Sequence, residues 1–298
     1  MMFHKLSILW NAFIGYMIKW KIDYLGCGTL PLLKNNEVIN SPNLIVSLTS
    51  YGRRVSSGVV YYTLISLLKQ TKTPNRIILW LADNEWNDEI LPPRLKSLRK
   101  CGIEIKYCDD IRSYKKLIPT LLEFPDDIIL TVDDDIYYSS RLVERLHSAF
   151  LHDKNKIYCT KALTPSFNRD GTIKPYKLWV SPSKSKFNSH FLLPIGAGGI
   201  LYPPKSLYND TCKKDLFTNL CPSADDLWFW IMALKQETER CQVSDNIGKN
   251  YSFDNLYQYF HKGSALTHTN KNDGNNDCQI AKVLKYYGLT LSRDIHST

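Results

Sequence analysis

The stretch Ile128-Ile129-Leu130-Thr131-Val132-Asp133-Asp134-Asp135-Ile136-Tyr137-Tyr138 changes character halfway along. Ile128 to Val132 is a short apolar run of the kind that forms a buried strand. It stops at Asp133, Asp134 and Asp135, and an amphipathic helix is expected to begin near Ser139 or Ser140. Adjacent carboxylates repel one another at the end of an apolar strand, and a cation removes that conflict. Hard divalent ions such as Mg²⁺ and Mn²⁺ take oxygen ligands, often one or two carboxylates shared with substrate phosphates. If the backbone stays extended, Asp133 and Asp135 point to one side and Asp134 to the other. The plain alternative is a solvated acidic turn that caps the next helix.

Upstream the pattern is regular. Leu44 to Leu48 reads as a buried strand that runs into a polar, basic loop, Thr49 to Arg54. Val59 to Leu68 reads as a helix, and Arg76 to Leu81 as a strand closed by Asp83. A helix near Asp88 to Lys100 has Pro92 and Pro93 at its start and Gly102 at its end. Ile103 to Tyr107 is a third strand, followed by Asp109 and Asp110, and a helix over Tyr114 to Leu122 leads to Ile128. This alternation predicts an α/β, Rossmann-like fold with a mostly parallel central sheet flanked by helices. Ligands of such sheets sit beyond the carboxyl ends of the strands. The polar clusters at Thr49 to Arg54, Asp83, Asp109/Asp110 and Asp133 to Asp135 all fall there.

Downstream the chain is less regular. A helix is expected over residues 139 to 152, with Leu142, Val143, Leu146, Ala149 and Phe150 on its apolar face. Residues 160 to 194 are rich in Pro, Ser, Lys and aromatics and suit either acceptor-binding loops or a surface excursion. Ile195 to Pro204 is strand-like, and Gly196, Gly198 and Gly199 permit close backbone approach. Ser223 to Trp230 opens a strongly apolar helix, with Ser223 and Asp226 spaced as a capping box. The functional reading puts an aspartate of that pair at the mouth of a site. His268 and the run Asn272 to Asp277 precede a helix from about Gln279 to Tyr287.

Residues 1–22 stand apart. Phe3, Leu6, Trp10, Phe13, Met17 and Trp20 recur at helical spacing, with Lys5, Lys19 and Lys21 at the edges. The uncharged run Leu6 to Ile18 is shorter than the ~20 residues that span a bilayer. No small-x-small cleavage site follows it. Two readings suit the pattern equally: an interfacial helix on a membrane surface, or a helix packed on the protein's own core.

The 298 residues are 44% hydrophobic and 22% charged, with a net charge of +9. That composition is globular, and the charge suits phosphorylated ligands or anionic surfaces. No basic run concentrates it, so nucleic acid is not an expected partner. The eight cysteines form no Cys-x-x-Cys pair, which disfavours zinc and favours reduced thiols in a cytosolic protein. A phosphate-cradling loop of the P-loop type and a serine nucleophile elbow are both missing from the sequence.

The ordered motifs Val46-Ser47-Leu48-Thr49-Ser50-Tyr51, Ile77-Ile78-Leu79-Trp80-Leu81-Ala82-Asp83, Asp126 to Asp135, Gly196 to Pro204 and Ala224-Asp225-Asp226-Leu227-Trp228-Phe229 resemble bacterial family-2-like glycosyltransferases. These have the A-type, nucleotide-diphospho-sugar transferase fold and build surface polysaccharides. The resemblance covers roughly residues 44 to 285. It implies a nucleotide pocket lined by Thr49, Tyr51 and Arg53, with Asp83 at the base or ribose. It implies Lys116, or equally Lys115, against phosphate, and Asp133 and Asp134 at the donor. Gly198 and Gly199 would pass the donor sugar, and Asp226 or Asp225 would be the catalytic carboxylate near the acceptor hydroxyl. The metal, Mn²⁺ or Mg²⁺, would fall to Asp135 with Asp133, completed by His268 or Asp277.

The expected function is therefore metal-dependent transfer from a nucleotide sugar, with a UDP-sugar favoured, to a glycan or lipid-linked acceptor. Capsule, O-antigen or lipopolysaccharide synthesis at the cytoplasmic face of the inner membrane is the expected setting. A sugar-nucleotide nucleotidyltransferase and a non-catalytic nucleotide- or sugar-binding module are the alternatives. The domain reading is a helix and linker over 1–43, a transferase domain over 44–288 and a tail over 289–298. Within the domain, 44–138 would bind the nucleotide sugar and 139–288 the acceptor.

Overall fold

The computed structural model describes residues 2–25, 30–33, 42–182, 187–189, 191–243, 247–254, 257 and 274–291. Helix α1 (Met2–Leu25) precedes four strands, β1 (Leu44–Thr49), β2 (Arg76–Ala82), β3 (Ile103–Cys108) and β4 (Ile128–Thr131). These four pair in parallel in the order β3-β2-β1-β4. β1, β2 and β4 are buried almost throughout because helices cover both faces of the sheet. The connections run through α2 (Gly52–Ser56), α3 (Val59–Leu68), α4 (Pro93–Ser97) and α5 (Ile118–Glu123).

Past β4 come β5 (Ile136–Tyr137), α6 (Leu142–His152), β6 (Ile157–Cys159), β7 (Ala162–Leu163), β8 (Phe187–Ser189), β9 (Leu193–Pro194) and β10 (Ile200–Tyr202). Then follow α7 (Lys214–Leu220), α8 (Asp225–Lys235), β11 (Arg240–Gln242), β12 (Tyr251–Ser252) and α9 (Asn275–Tyr287). The main sheet has eight strands in the order β3-β2-β1-β4-β10-β6-β11-β8. β10 lies antiparallel between β4 and β6, and β8 lies antiparallel on β11. The α/β, mostly parallel architecture read from the alternating pattern is the one observed.

Strand alternation divides the core between the two faces. Leu130 and Leu201 join the layer formed with α3 and α6. Their neighbours Ile129, Ile200 and Tyr202 join the layer formed with α8 and α9. Helix α8 is buried nearly all round, which is why its sequence shows a continuous apolar run rather than a stripe.

Several local expectations change. The helix expected over Asp88 to Lys100 is only Pro93–Ser97 followed by a 3₁₀ turn, Leu98–Cys101. Pro92 is extended, and proline is tolerated only in the first helical turn. The helix expected over Tyr114 to Leu122 is likewise split, into a 3₁₀ turn Arg112–Lys116 and α5, with Pro119 in its first turn. The helix expected near Ser139 starts at Leu142, because Ile136 and Tyr137 pair with β12 instead. Ser223 does not cap α8. Its Oγ lies 3.0 Å from Asn275 Nδ2 and 3.1 Å from Gln279 Nε2, so it ties α8 to α9.

Helix α1 packs on the protein's own core. Gly15 lies against the Ser252 carbonyl, Ile22 is buried, and Lys19 sits over the rings of Tyr62 and Phe253. The opposite face leaves Trp10, Phe13, Met17, Trp20 and Tyr24 exposed. Among the described residues no helix is long and apolar enough to cross a membrane. Cys108, Cys159, Cys212, Cys221 and Cys278 are free thiols.

Candidate active site

Beyond the carboxyl ends of β1 and β4, carboxylates gather around two cations. The first is Lys116, at the end of the Arg112–Lys116 turn. Its neighbour Lys115 pairs with Asp110, which leaves Lys116 as the lysine that enters the site. Lys116 Nζ stands 2.7 Å from Asp225 Oδ2, 3.2 Å from Asp226 Oδ1 and 3.5 Å from Asp133 Oδ1. Burial opposes the charge of this lysine, but Asp225, Asp226 and Asp133 outweigh it and hold its pKa well above the usual value.

Asp225 and Asp226 open α8, where the positive end of the helix dipole favours acids. The Gly196 N–H donates to Asp226 Oδ2 at 2.9 Å. A Cβ on Gly196 would lie 2.5 Å from Lys116 Nζ and 3.0 Å from Asp226 Oδ1, so only glycine lets the backbone come this close. Burial pushes the Asp226 carboxyl up, Lys116 pulls it down, and Asp225 and Asp133 push it up again, to about 6. A carboxylate with a pKa just below neutrality is suited to take a proton at neutral pH.

The second cation is Arg54, in α2 just past β1. Its Nη1 lies 2.5 Å from Asp134 Oδ1, its Nη2 3.0 Å from Asp135 Oδ2 and its Nε 3.1 Å from Asp254 Oδ2. Ser50 Oγ donates to the second oxygen of Asp134 at 2.5 Å. Arg53 pairs with Asp254 as well and lies 3.6 Å from the Tyr257 ring centroid. The Phe253 N–H donates to the Asp135 carbonyl at 2.7 Å, so the segment bearing Asp254 is fastened to the triple aspartate. Burial pushes the Asp135 carboxyl up to about 7; Arg54 opposes this, while Asp134, Asp133 and Asp254 add to it.

The backbone does not stay extended through the aspartates. It turns at Asp134 and Asp135, so Asp134 and Asp135 share Arg54 while Asp133 faces Lys116. That replaces the alternation expected from a continuing strand. The Asp133 N–H donates to Tyr138 Oη at 2.9 Å and holds the turn.

The remaining sequence candidates are spread around this centre. Thr49 Oγ1 donates to the Trp80 carbonyl at 2.9 Å at the end of β1. Tyr51 is 49% exposed beside Arg54. Asp83 is exposed past β2, and its N–H donates to the Cys108 carbonyl at 3.0 Å. Gly198 packs against Thr160 and Lys161, and Gly199 against Leu142 and Leu130, so Gly196 is the glycine at the carboxylates. Asp277 Oδ1 accepts the Tyr176 N–H at 2.7 Å. His268 lies outside the described residues. The residues that sequence reading gave no role are Ser50, Arg54, Tyr176 and Asp254. Arg54 belongs to a loop already marked as basic, whereas Asp254 has no sequence signal at all.

Carboxylate oxygens are the donor type that a hard divalent cation takes. Asp133 and Asp135, the oxygen donors expected to hold a divalent cation, are divided between Lys116 and Arg54. Among the described residues no three His, Cys, Asp or Glu side chains converge as a complete metal cage.

No protein-family model matches the chain, and no curated protein matches it. Among solved structures it is similar to CMP:2-keto-3-deoxy-manno-octonic acid synthetase complexed with CTP. That likeness has 9% identity over 75% of this chain and 98% of the other, with a TM-score of 0.43. It is also similar to S. aureus TarS 1–349, at 16% identity over 81% of this chain and 70% of the other, with a TM-score of 0.46.

Proposed function

We propose that this protein is a metal-dependent glycosyltransferase that moves a sugar from a nucleotide-diphospho-sugar, a UDP-sugar by preference, to a glycan or lipid-linked acceptor. The observation that carries the reading is the meeting of Asp133, Asp225 and Asp226 on Lys116, beyond the carboxyl ends of parallel strands. The turn after β4 is thereby joined to the start of α8.

In this reading Asp226 takes the proton of the acceptor hydroxyl. The hydroxyl oxygen forms a bond to the anomeric carbon, and the anomeric C–O bond to the diphosphate breaks, its electron pair leaving with the phosphate. Lys116 holds Asp226 in place and keeps it ionised. Asp225 balances the lysine from the far side. Thr49, Tyr51, Arg53 and Asp83 border the nucleotide. Asp135 and Asp133 would hold Mn²⁺ or Mg²⁺, which when bound neutralises charge on a leaving diphosphate. The exposed Trp10, Phe13, Met17, Trp20 and Tyr24 of α1 suit peripheral contact with a membrane surface, where aromatic rings settle at the headgroup level. The proposed setting is polysaccharide assembly at the cytoplasmic face of the inner membrane.

A thermal-shift screen of UDP-, GDP-, CMP- and dTDP-sugars, each with and without Mn²⁺, tests the reading. A ligand that binds only the folded state raises its stability. A shift from one nucleotide that needs both Mn²⁺ and an intact Asp135, read against Asp135→Ala, supports it. A folded protein that responds to none of these donors defeats it.

A further inference from the structure

Tyr176 sits in a stretch without sequence periodicity, yet its backbone is tightly fixed. Pro175 precedes a 3₁₀ turn over Tyr176–Leu178. The turn is closed by Leu178 N–H to the Pro175 carbonyl at 2.8 Å and Trp179 N–H to the Tyr176 carbonyl at 3.0 Å. Trp179 Nε1 donates back to the Lys174 carbonyl at 2.9 Å. From α9, Asp277 Oδ1 reaches across to accept the Tyr176 N–H at 2.7 Å. Five residues before and after would not supply that bond; it comes from 101 positions away.

The rings then form a line. The Tyr176 and Trp179 centroids are 5.1 Å apart, and Trp179 meets Trp230 edge-on at 5.4 Å. Trp230 lies on α8 four residues after Asp226, hence on the same helix face one turn along. Trp179 and Trp230 are buried, whereas Tyr176 is partly exposed at the outer end of the line.

We infer that Tyr176 is the floor of an acceptor subsite, a ring that stacks on the C–H face of a pyranose, and that Asp277 is its positioning residue rather than a metal ligand. The inference rests on the glycosyl-transfer reading for its ligand class, a carbohydrate acceptor. An aromatic ring offers apolar area at small entropic cost, and the line of rings fixes its plane before the ligand arrives. Asp277 fixes the backbone of the turn, and the line of rings runs from it to Trp230, one turn from Asp226 on α8; the inference places the acceptor hydroxyl at that carboxylate. Asp277 spends one oxygen on the Tyr176 backbone N–H, and that bond ties the turn to α9.

Saturation-transfer NMR on the full chain, with the methyl glycosides of glucose, galactose and N-acetylglucosamine as probes, reads contact between a ring and sugar C–H protons. At least one glycoside is expected to show saturation along one face. Loss of one stacked ring lowers that signal by about tenfold in Tyr176→Ala and Tyr176→Leu, the latter keeping most of the volume if alanine fails to fold. Asp277→Ala is expected to weaken it comparably, while Asp277→Asn keeps it, since its amide oxygen accepts the same N–H. Mn²⁺ binding by electron paramagnetic resonance is expected to be unchanged by Asp277→Asn. The inference is overturned if no glycoside shows saturation, if both Tyr176 variants leave it intact, or if Asp277→Asn weakens Mn²⁺ binding. Failure of the transferase reading looks different: nucleotide sugars then give no thermal shift, while the glycoside signal and its loss in Tyr176→Ala remain.

Discussion

Lys116 gathers Asp133, Asp225 and Asp226, whereas Arg54 gathers Asp134, Asp135 and Asp254. Both clusters draw on the same triple aspartate, and both fasten it to a distant part of the chain. They differ in the cation. An ammonium is a compact point charge that accepts partners from any direction, and Lys116 meets acids from β4's end and from α8. A guanidinium is a planar fork, and Arg54 turns three of its nitrogens to three separate carboxylates. The lysine cluster includes a partly exposed acid, Asp226, bound to a glycine backbone. The arginine cluster is closed by Ser50 and by the strap that carries Asp254. In the proposed reading the lysine cluster carries the proton acceptor, and the arginine cluster holds the turn that bears Asp135.

Removing each cation tests that division. Lys116→Met leaves a buried Asp225 and the partly exposed Asp133 and Asp226 without their cation and is expected to destabilise the fold by up to about 3–5 kcal/mol, the usual cost of breaking a buried ion pair from one side. Urea denaturation measures it, and a loss near zero would mean that the acids relax into water. Asp226→Asn is the complementary change. It keeps the shape and lowers transfer by about 10²–10⁴-fold, as expected for loss of a proton acceptor, with little change in the denaturation midpoint. A variant that retains full turnover would move the proton acceptor to Asp225.

Arg54→Met leaves Asp134, Asp135 and Asp254 buried without their cation and is expected to cost as much, about 3–5 kcal/mol. If it costs clearly less than Lys116→Met, the holding role has been assigned to the wrong cluster. Gly196→Ala forces Lys116 Nζ or the backbone aside and is expected to cost about 1–3 kcal/mol as local overpacking, with weaker transfer measured alongside. The smallest effect is in pH. Asp226 must be ionised to accept a proton, so activity falls as pH drops through about 6, by about tenfold per unit below that point. Asp226→Asn should abolish this acid limb, and an unchanged profile would assign it to another group.

The first half of the sheet was readable because it obeys local rules. β1, β2 and β4 are apolar runs between turn signals, and their ends carry the polar clusters expected of a parallel sheet. Asp133, Asp225, Asp226 and Lys116 were all marked from sequence, and the structure brings them together. What sequence could not show was how the aspartates divide, since that depends on a turn held by Tyr138 and on the pairing of β5 with β12. Both are long-range or too short to have a pattern. Asp254 has a role here only because that pairing places it beside Arg54. Asp277 was marked by its residue type, and its contact with the backbone N–H of Tyr176, 101 positions away, has no sequence pattern either.

One feature of the sheet sets an order in time. The second edge of β4 is closed by β10, and 69 positions separate Thr131 from its partner Ile200. While the chain is being made, β1 to β4 can pair as they emerge, but that edge stays open until Tyr202 has been added. An open apolar edge invites pairing with other chains, and the acids just past it are the only part of β4's end that resists such contact by charge. Asp225 and Asp226 come later still. A nascent chain thus carries the holding arginine and half of the acids long before it carries the groups that would react.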